Sequence, residues 1–248
     1  MAFLCFGGDR YWPMTSKVGL LRAPLSKVAR RMVTLGRGSP WSLREFDNLD
    51  NAMAGLAPFR FCAKQARFAV STAGSEWVVV LDASFPGGDI KGFMSDRAQL
   101  DLRCEFVAVE WMPKSTKSLA SATFVHYKPG ESGLKLFSRP RHIDRRWVQT
   151  SDQDGRWEFD ASGDPQPYEE FDKYEVRRKA ERLPLDLLGR YLAAVGIPVD
   201  KDGWLSGPVI AAIREPFGGN DQQWSSVVEL RRLCGYPEDR IPTDLVRL

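Results

Sequence analysis

Apolar residues recur along this chain with two different periods, and the switches between them predict an order of elements. Residues 17–22 are apolar in the middle and predict a strand. Over 24–35, Leu25, Val28, Ala29, Met32 and Val33 fall on one helical face. Pro24 suits the first helical turn, where its missing N–H costs nothing, and Gly36 supplies the stop. A weaker helical pattern covers 42–54, with Leu43, Phe46, Leu49 and Met53 in register. Residues 61–71 and 76–85 then predict two strands joined across Thr72-Ala73-Gly74-Ser75. The run Trp77-Val78-Val79-Val80-Leu81 is β-branched and aromatic and reads as a buried central strand, broken by Pro86-Gly87-Gly88-Asp89. A short helix over 95–103 and a strand over 105–112 complete this part.

The resulting order is β-α-(helical insert)-β-β-α-β, which is the ferredoxin-like split βαβ arrangement of an α+β protein. Four further strand patterns, at 120–127, 133–137, 141–149 and 156–159, predict a β-meander that extends this sheet or forms a second one. Helical patterns at 168–182, 184–195 and 222–234 follow; Pro184 opens the middle one and Gly196 and Pro198 close it. Turn formers crowd between Ser151 and Pro165. The expected organisation is therefore an α+β sheet domain over 1–160 and a mainly helical C-terminal region over 161–248, either packed on the same core or standing apart.

Composition narrows this picture only slightly. The chain has 248 residues, 43% hydrophobic and 27% charged, which suits globular cores and excludes collagen-like or disordered readings. No aliphatic run approaches the roughly 20 residues of a membrane span, and Met1–Phe6 lacks the basic leader of a signal peptide. Cys5, Cys62, Cys104 and Cys234 share no metal-knuckle or redox spacing, so they read as buried hydrophobes in a reducing cytoplasm. No metal or cofactor is expected. Charge is polarised: residues 1–149 hold 22 Lys/Arg against 13 Asp/Glu, a net of +9, and the remainder a net of −6.

Three features carry candidate chemistry. The first is basic, with Arg139, Arg141, Arg145, Arg146 and Trp147 within nine residues. Guanidinium forks match phosphates and carboxylates, and an adjacent indole is a stacking surface. Strand alternation sends Arg139, Arg141 and Arg145 to one face and Arg146 to the other. The plain alternative is a charged edge strand that resists sheet-to-sheet aggregation. The second is Asp82 and Asp89, flanking the Pro-Gly-Gly break, a ligand site if the carboxylates converge and otherwise a turn. The third is tryptophan usage: Trp77, Trp111 and Trp224 sit in apolar periodicity, whereas Trp12, Trp41, Trp147, Trp157 and Trp204 lie beside prolines, glycines or charges. His126 and His142 are weak acid–base candidates, and Asp200-Lys201-Asp202-Gly203 lacks the later glutamate of a calcium loop.

No Gly-x-Ser-x-Gly elbow, His-Glu-x-x-His, Walker loop or dinucleotide fingerprint is present. The leading expectation is a non-catalytic binding protein that engages a protein partner, of a regulatory or toxin-immunity type. The alternatives are nucleic-acid binding through the basic strand at 139–147 and an unrecognised hydrolase.

Overall fold

A computed structural model describes residues 10–33, 41–60, 66–83, 102–115, 119–129, 145–197, 199, 203–214 and 222–236. The expected helix at 95–103 lies almost wholly outside the described residues, and the strand at 133–137 lies outside them altogether, as do Asp89, Arg139, Arg141, His142, Cys5 and Cys62.

The fold is α+β, built on a nine-stranded antiparallel sheet. Its strands are β1 (Lys17–Leu21), β2 (Ser42–Phe46), β4 (Ala66–Ser71), β5 (Val78–Asp82), β6 (Phe106–Met112), β7 (Ser121–Tyr127), β8 (Arg145–Gln153), β9 (Arg156–Ser162) and β10 (Val209–Ile213), in the spatial order β2-β10-β4-β5-β1-β6-β7-β8-β9. The short strands β3 (Phe59–Arg60) and β11 (Gln223–Trp224) form a separate pair. Among the described residues five helices accompany them: α1 (Leu25–Met32), α2 (Leu49–Leu56), α3 (Phe171–Tyr174), α4 (Leu185–Ala194) and α5 (Val227–Leu233).

Strand alternation sorts apolar side chains onto two faces, and both are covered. On the first face Leu20, Phe68, Leu81, Val109 and Phe124 meet Leu187, Leu188 and Leu192 of α4 and Leu49 of α2 in one core cluster. On the second, Leu21, Val80, Phe106 and Ala108 meet Val28, Ala29 and Met32 of α1. Coverage on both sides explains why β5 and β6 are apolar or buried at every position instead of alternating. As expected, β5 is central, paired with β4 on one side and β1 on the other. The consecutive strands β6 to β9 form a meander that extends the same sheet.

Residues beyond 160 enter this sheet as well. β10 pairs with both β2 and β4, and residue 160 lies inside β9. Arg231 of α5 donates from Nε to the Trp12 carbonyl at 3.1 Å, and the Tyr236 ring stands 4.6 Å from that of Trp12, tying the two ends of the described chain together.

Two local expectations are corrected. Residues 42–54 are not one helix: Ser42–Phe46 pairs with β10, and α2 starts only after Asn48, whose side chain accepts from the Asn51 amide at 2.9 Å. The polar stretch 168–182 forms only the four-residue α3 and a single 3-10 turn at Lys179–Glu181. The turn formers at Ser151–Gly155 lie at the hairpin that joins β8 to β9. Asp154 and Gly155 both take positive φ (53° and 91°), the primed turn that matches strand twist, and Gly155 N donates to Asp152 Oδ1.

At the far end of β9, Gly163 has φ +79° and packs so closely on β8 that an added Cβ would collide with the Arg145 carbonyl oxygen. Gly163→Ala is expected to lower unfolding free energy by well over about 1 kcal/mol. Gly74→Ala, at similar φ but with open space around it, carries the backbone strain alone, and urea unfolding of the two variants isolates the close approach.

Candidate functional site

β8 divides the basic cluster between the two faces. Arg146 points inward onto the first face, while Arg145 and Trp147 are half-buried on the second. A guanidinium taken out of water needs a full set of acceptors, and Arg146 has one. Its Nε donates to both carboxylate oxygens of Glu169, at 2.8 and 3.0 Å, and a terminal nitrogen donates to Glu169 Oε2 at 2.7 Å. The other terminal nitrogen reaches the carbonyls of Gly163 and Ser162, at 3.0 and 3.3 Å. Glu169 is completely buried and also accepts from the Tyr174 hydroxyl at 2.8 Å and the Gln166 amide at 2.7 Å. Tyr174 and Tyr191 hydroxyls share a 2.9 Å hydrogen bond. Burial works against the Arg146 charge, but pairing with Glu169 outweighs it and its pKa is raised. Arg146, grouped by spacing with the partner-binding arginines, is thus committed to the interior.

Directly opposite Arg146 across the β7–β8 ladder stands His126. Its ring nitrogens contact Glu105 Oε1 at 2.8 Å (Nε2) and the Tyr168 hydroxyl at 2.6 Å (Nδ1). The Glu105 carboxylate has no proton to offer, so Nε2 carries the hydrogen and Nδ1 accepts from Tyr168. Glu105 continues the chain outward, accepting from Arg22 at 3.4 Å, and Arg22 pairs with the exposed Glu76 at 2.8 Å. Burial lowers the His126 pKa below its ordinary value, against the raising effect of Glu105, while burial raises that of Tyr168. A neutral imidazole capped by a tyrosine that holds its proton is a brace. It fastens β6 and β7 to the segment that carries Glu169.

Asp82 is also internal. It sits opposite Arg67 in the β4–β5 ladder, and Arg67 Nε donates to its Oδ2 at 3.1 Å with both side chains buried. The Arg67 guanidinium stands 5.1 Å and that of Arg214 4.7 Å from the centre of the Trp41 ring. No group of three or more His, Cys, Asp or Glu side chains among the described residues is arranged to hold a metal ion. No described helix is long and apolar enough to cross a membrane. Cys104 and Cys234 are both buried, and burial pushes the Cys104 thiol up to about 11. Arg22, Pro24, Ser71, Glu76 and Trp77 line an open cleft of about 510 Å³ beside the start of α1.

Of the loop-associated tryptophans, Trp12 and Trp204 are buried in the core, whereas Trp41, Trp147 and Trp157 are half-buried. The five do not share one patch. On the second face a smaller group does form: Tyr127 lies opposite Arg145, whose guanidinium stands 5.5 Å from the Trp147 ring centre. Spacing missed Glu105, Tyr168 and Glu169. The available signal was Arg146 itself, since an arginine at an inward strand position requires a buried carboxylate. No protein family, curated protein or solved structure matches the chain.

Removing one member of the central pair should be severe. Arg146→Met alone is expected to cost about 3–5 kcal/mol in chemical unfolding, and the double change Arg146→Met with Glu169→Leu to cost less than the single one.

The brace predicts a pH dependence. In the unfolded chain His126 titrates near 6.5, and in the folded chain at a lower pH. Between the two values the unfolded state binds more protons, so the His126 contribution is fully present above about pH 6.5 and shrinks as pH falls toward the folded pKa. The slope from this group is at most about 1.4 kcal/mol per pH unit. Urea midpoints at pH 7.5 and 5.5 should differ less for His126→Gln than for the wild type.

Proposed function

We propose that the chain is a non-catalytic binding protein, and that the second sheet face around Tyr127, Arg145 and Trp147 engages another protein. The observation that carries this reading is the clustering of three half-buried side chains, with Tyr127 opposite Arg145 across the ladder and the Arg145 guanidinium against the Trp147 ring. Tyrosine, tryptophan and arginine dominate interface hot spots, because they cover large areas at small entropic cost. Stacking holds the Arg145 fork before a partner arrives, and the backbone beneath it is pinned by Arg146 on the opposite side of the same strand. A partner of regulatory or inhibited-toxin type fits such a preformed surface.

Two further points support this over the alternatives. Arg146 is engaged inside the protein by Glu169, which leaves Arg145 as the one arginine of β8 outside that buried pair. Asp82 is spent on Arg67. The neighbour order β4-β5-β1-β6, antiparallel throughout and with α1 on one face, supports a ferredoxin-like split βαβ unit at the centre of the sheet.

The test is quantitative capture from host extract on the immobilised full chain, comparing wild type, Arg145→Ala with Trp147→Ala, and Leu43→Ala at the far end of the sheet. A protein that survives nuclease treatment should be recovered at least tenfold less by the double variant and equally by Leu43→Ala, tenfold corresponding to about 1.4 kcal/mol. Retention abolished by nuclease would favour the nucleic-acid reading. Recovery indifferent to Arg145 and Trp147 would overturn the proposal.

A further inference from the structure

Between α3 and α4 the chain displays positive charge beside the edge of the sheet. Residues 171–182 hold five Lys/Arg against three Asp/Glu, a net of +2, within the part of the chain whose net is −6. Arg177, Arg178 and Lys179 are consecutive and exposed. Their backbone is nonetheless fixed. Arg182 Nε donates to the Val176 carbonyl at 2.9 Å, closing a loop around the three. Thr150 of β8 donates from Oγ1 to the Lys179 carbonyl at 2.8 Å, and the Arg182 guanidinium stands 5.1 Å from the Phe159 ring centre on β9.

The fold does not use the charges it displays there. Neighbouring arginines are engaged: Arg190 pairs with Glu170 and Asp186 at 2.6 and 2.7 Å, and Arg182 closes the loop. Arg178 reaches Glu181 at 3.2 Å, but that pair is open to water and adds little. Arg177 and Lys179 form no ion pair with any described residue. An aromatic surface adjoins them. Phe171 is 48% exposed and stands edge-on to Tyr174, with ring centres 5.8 Å apart; Tyr174 lies 5.2 Å from Phe159, the ring that Arg182 covers. An open ring is thereby held on the same scaffold as the basic loop. Close-set cations match phosphates at regular spacing, and an exposed ring matches a base that is free to stack. A duplex keeps its bases stacked inside, so a single strand fits better.

We propose that Arg177, Arg178, Lys179 and Phe171 form a contact surface for a short stretch of single-stranded nucleic acid, with the cations on phosphates and Phe171 against a base. Asp172, Glu175 and Glu181 flank the cations and confine the contact to a few nucleotides. The surface belongs to the first face, because Thr150 follows the alternation of Arg146 and Val148. It is separate from the Tyr127, Arg145 and Trp147 group on the second face and stands whether or not that group binds a protein.

The test is fluorescence anisotropy of a short labelled oligothymidylate titrated with the full chain over a series of salt concentrations. Three phosphate contacts on a single strand predict that log K falls with log salt at a slope of about −2. Arg177→Gln with Lys179→Gln is expected to weaken binding at least tenfold and to bring the slope toward about −0.7. Phe171→Ala is expected to weaken binding at least about fivefold with the slope unchanged, since stacking releases no counterions. Arg145→Ala with Trp147→Ala should bind the oligonucleotide as the wild type does. Four outcomes overturn the proposal: no binding at low salt, binding indifferent to the folded Arg177 and Lys179 double variant, Phe171→Ala without effect, or loss caused equally by the Arg145 and Trp147 changes.

Discussion

A guanidinium can leave water only when its charge and its donors are met, and the Arg146–Glu169 pair meets both in this fold. The carboxylate does not come from a neighbouring strand. It comes from a segment that has already turned back after β9, so burying Arg146 fixes where residues 163–170 lie. Glu169 in turn orders Tyr174, and through it Tyr191 of α4. Glu169, Tyr174 and Ala180 of the polar stretch 168–182 are therefore buried, and α4 reaches the first face of the sheet through hydrogen bonds as well as apolar contact. Such a pair adds little net stability over an apolar substitute but penalises every arrangement in which one partner is missing. Its role here is to select one placement of the C-terminal region on the sheet.

Legibility in the sequence followed the range of the deciding contact. The central strand β5 could be read because its apolar run is continuous and its surroundings are apolar on both sides. Helix α4 could be read because Pro184, the Leu185-to-Leu192 face and Gly196 are all local signals. Residues 42–46 could not, since Leu43 and Phe46 suit a helical period and only pairing with β10, more than 160 residues later, makes them a strand. Asn48 as an N-cap was the local sign that the helix began late. At the candidate surfaces, alternation placed Arg145 and Arg146 on opposite faces, but no spacing rule links Arg146 to Glu169 or Arg67 to Arg214.

One strand thus serves two purposes at adjacent residues. The side chain of Arg146 is sealed while those of Arg145 and Trp147 remain partly open, because consecutive residues of a strand face opposite ways. The rigidity that Arg146 gives to the backbone of β8 is inherited by the outer residues. Displaying an arginine and an aromatic ring on a mobile loop would cost ordering entropy at the moment of binding; on β8 the proposed site is ordered in advance.

The edges of the sheet sharpen the argument about where partners can dock. β2 is exposed along most of its length, yet Arg44 and Glu45 occupy its middle. β9 carries Arg156, Glu158 and Asp160 on its exposed positions. Charges along a terminal strand resist the addition of a further strand, because pairing would bring them against a partner backbone and strip their water. Growth of the sheet at either described edge is therefore disfavoured. The protein recognition proposed above then falls to side chains on a face, the aromatic and guanidinium group on β7 and β8. That group lies on the second face and sets an arginine beside an indole, a pairing whose chemistry suits carboxylates and flat apolar groups.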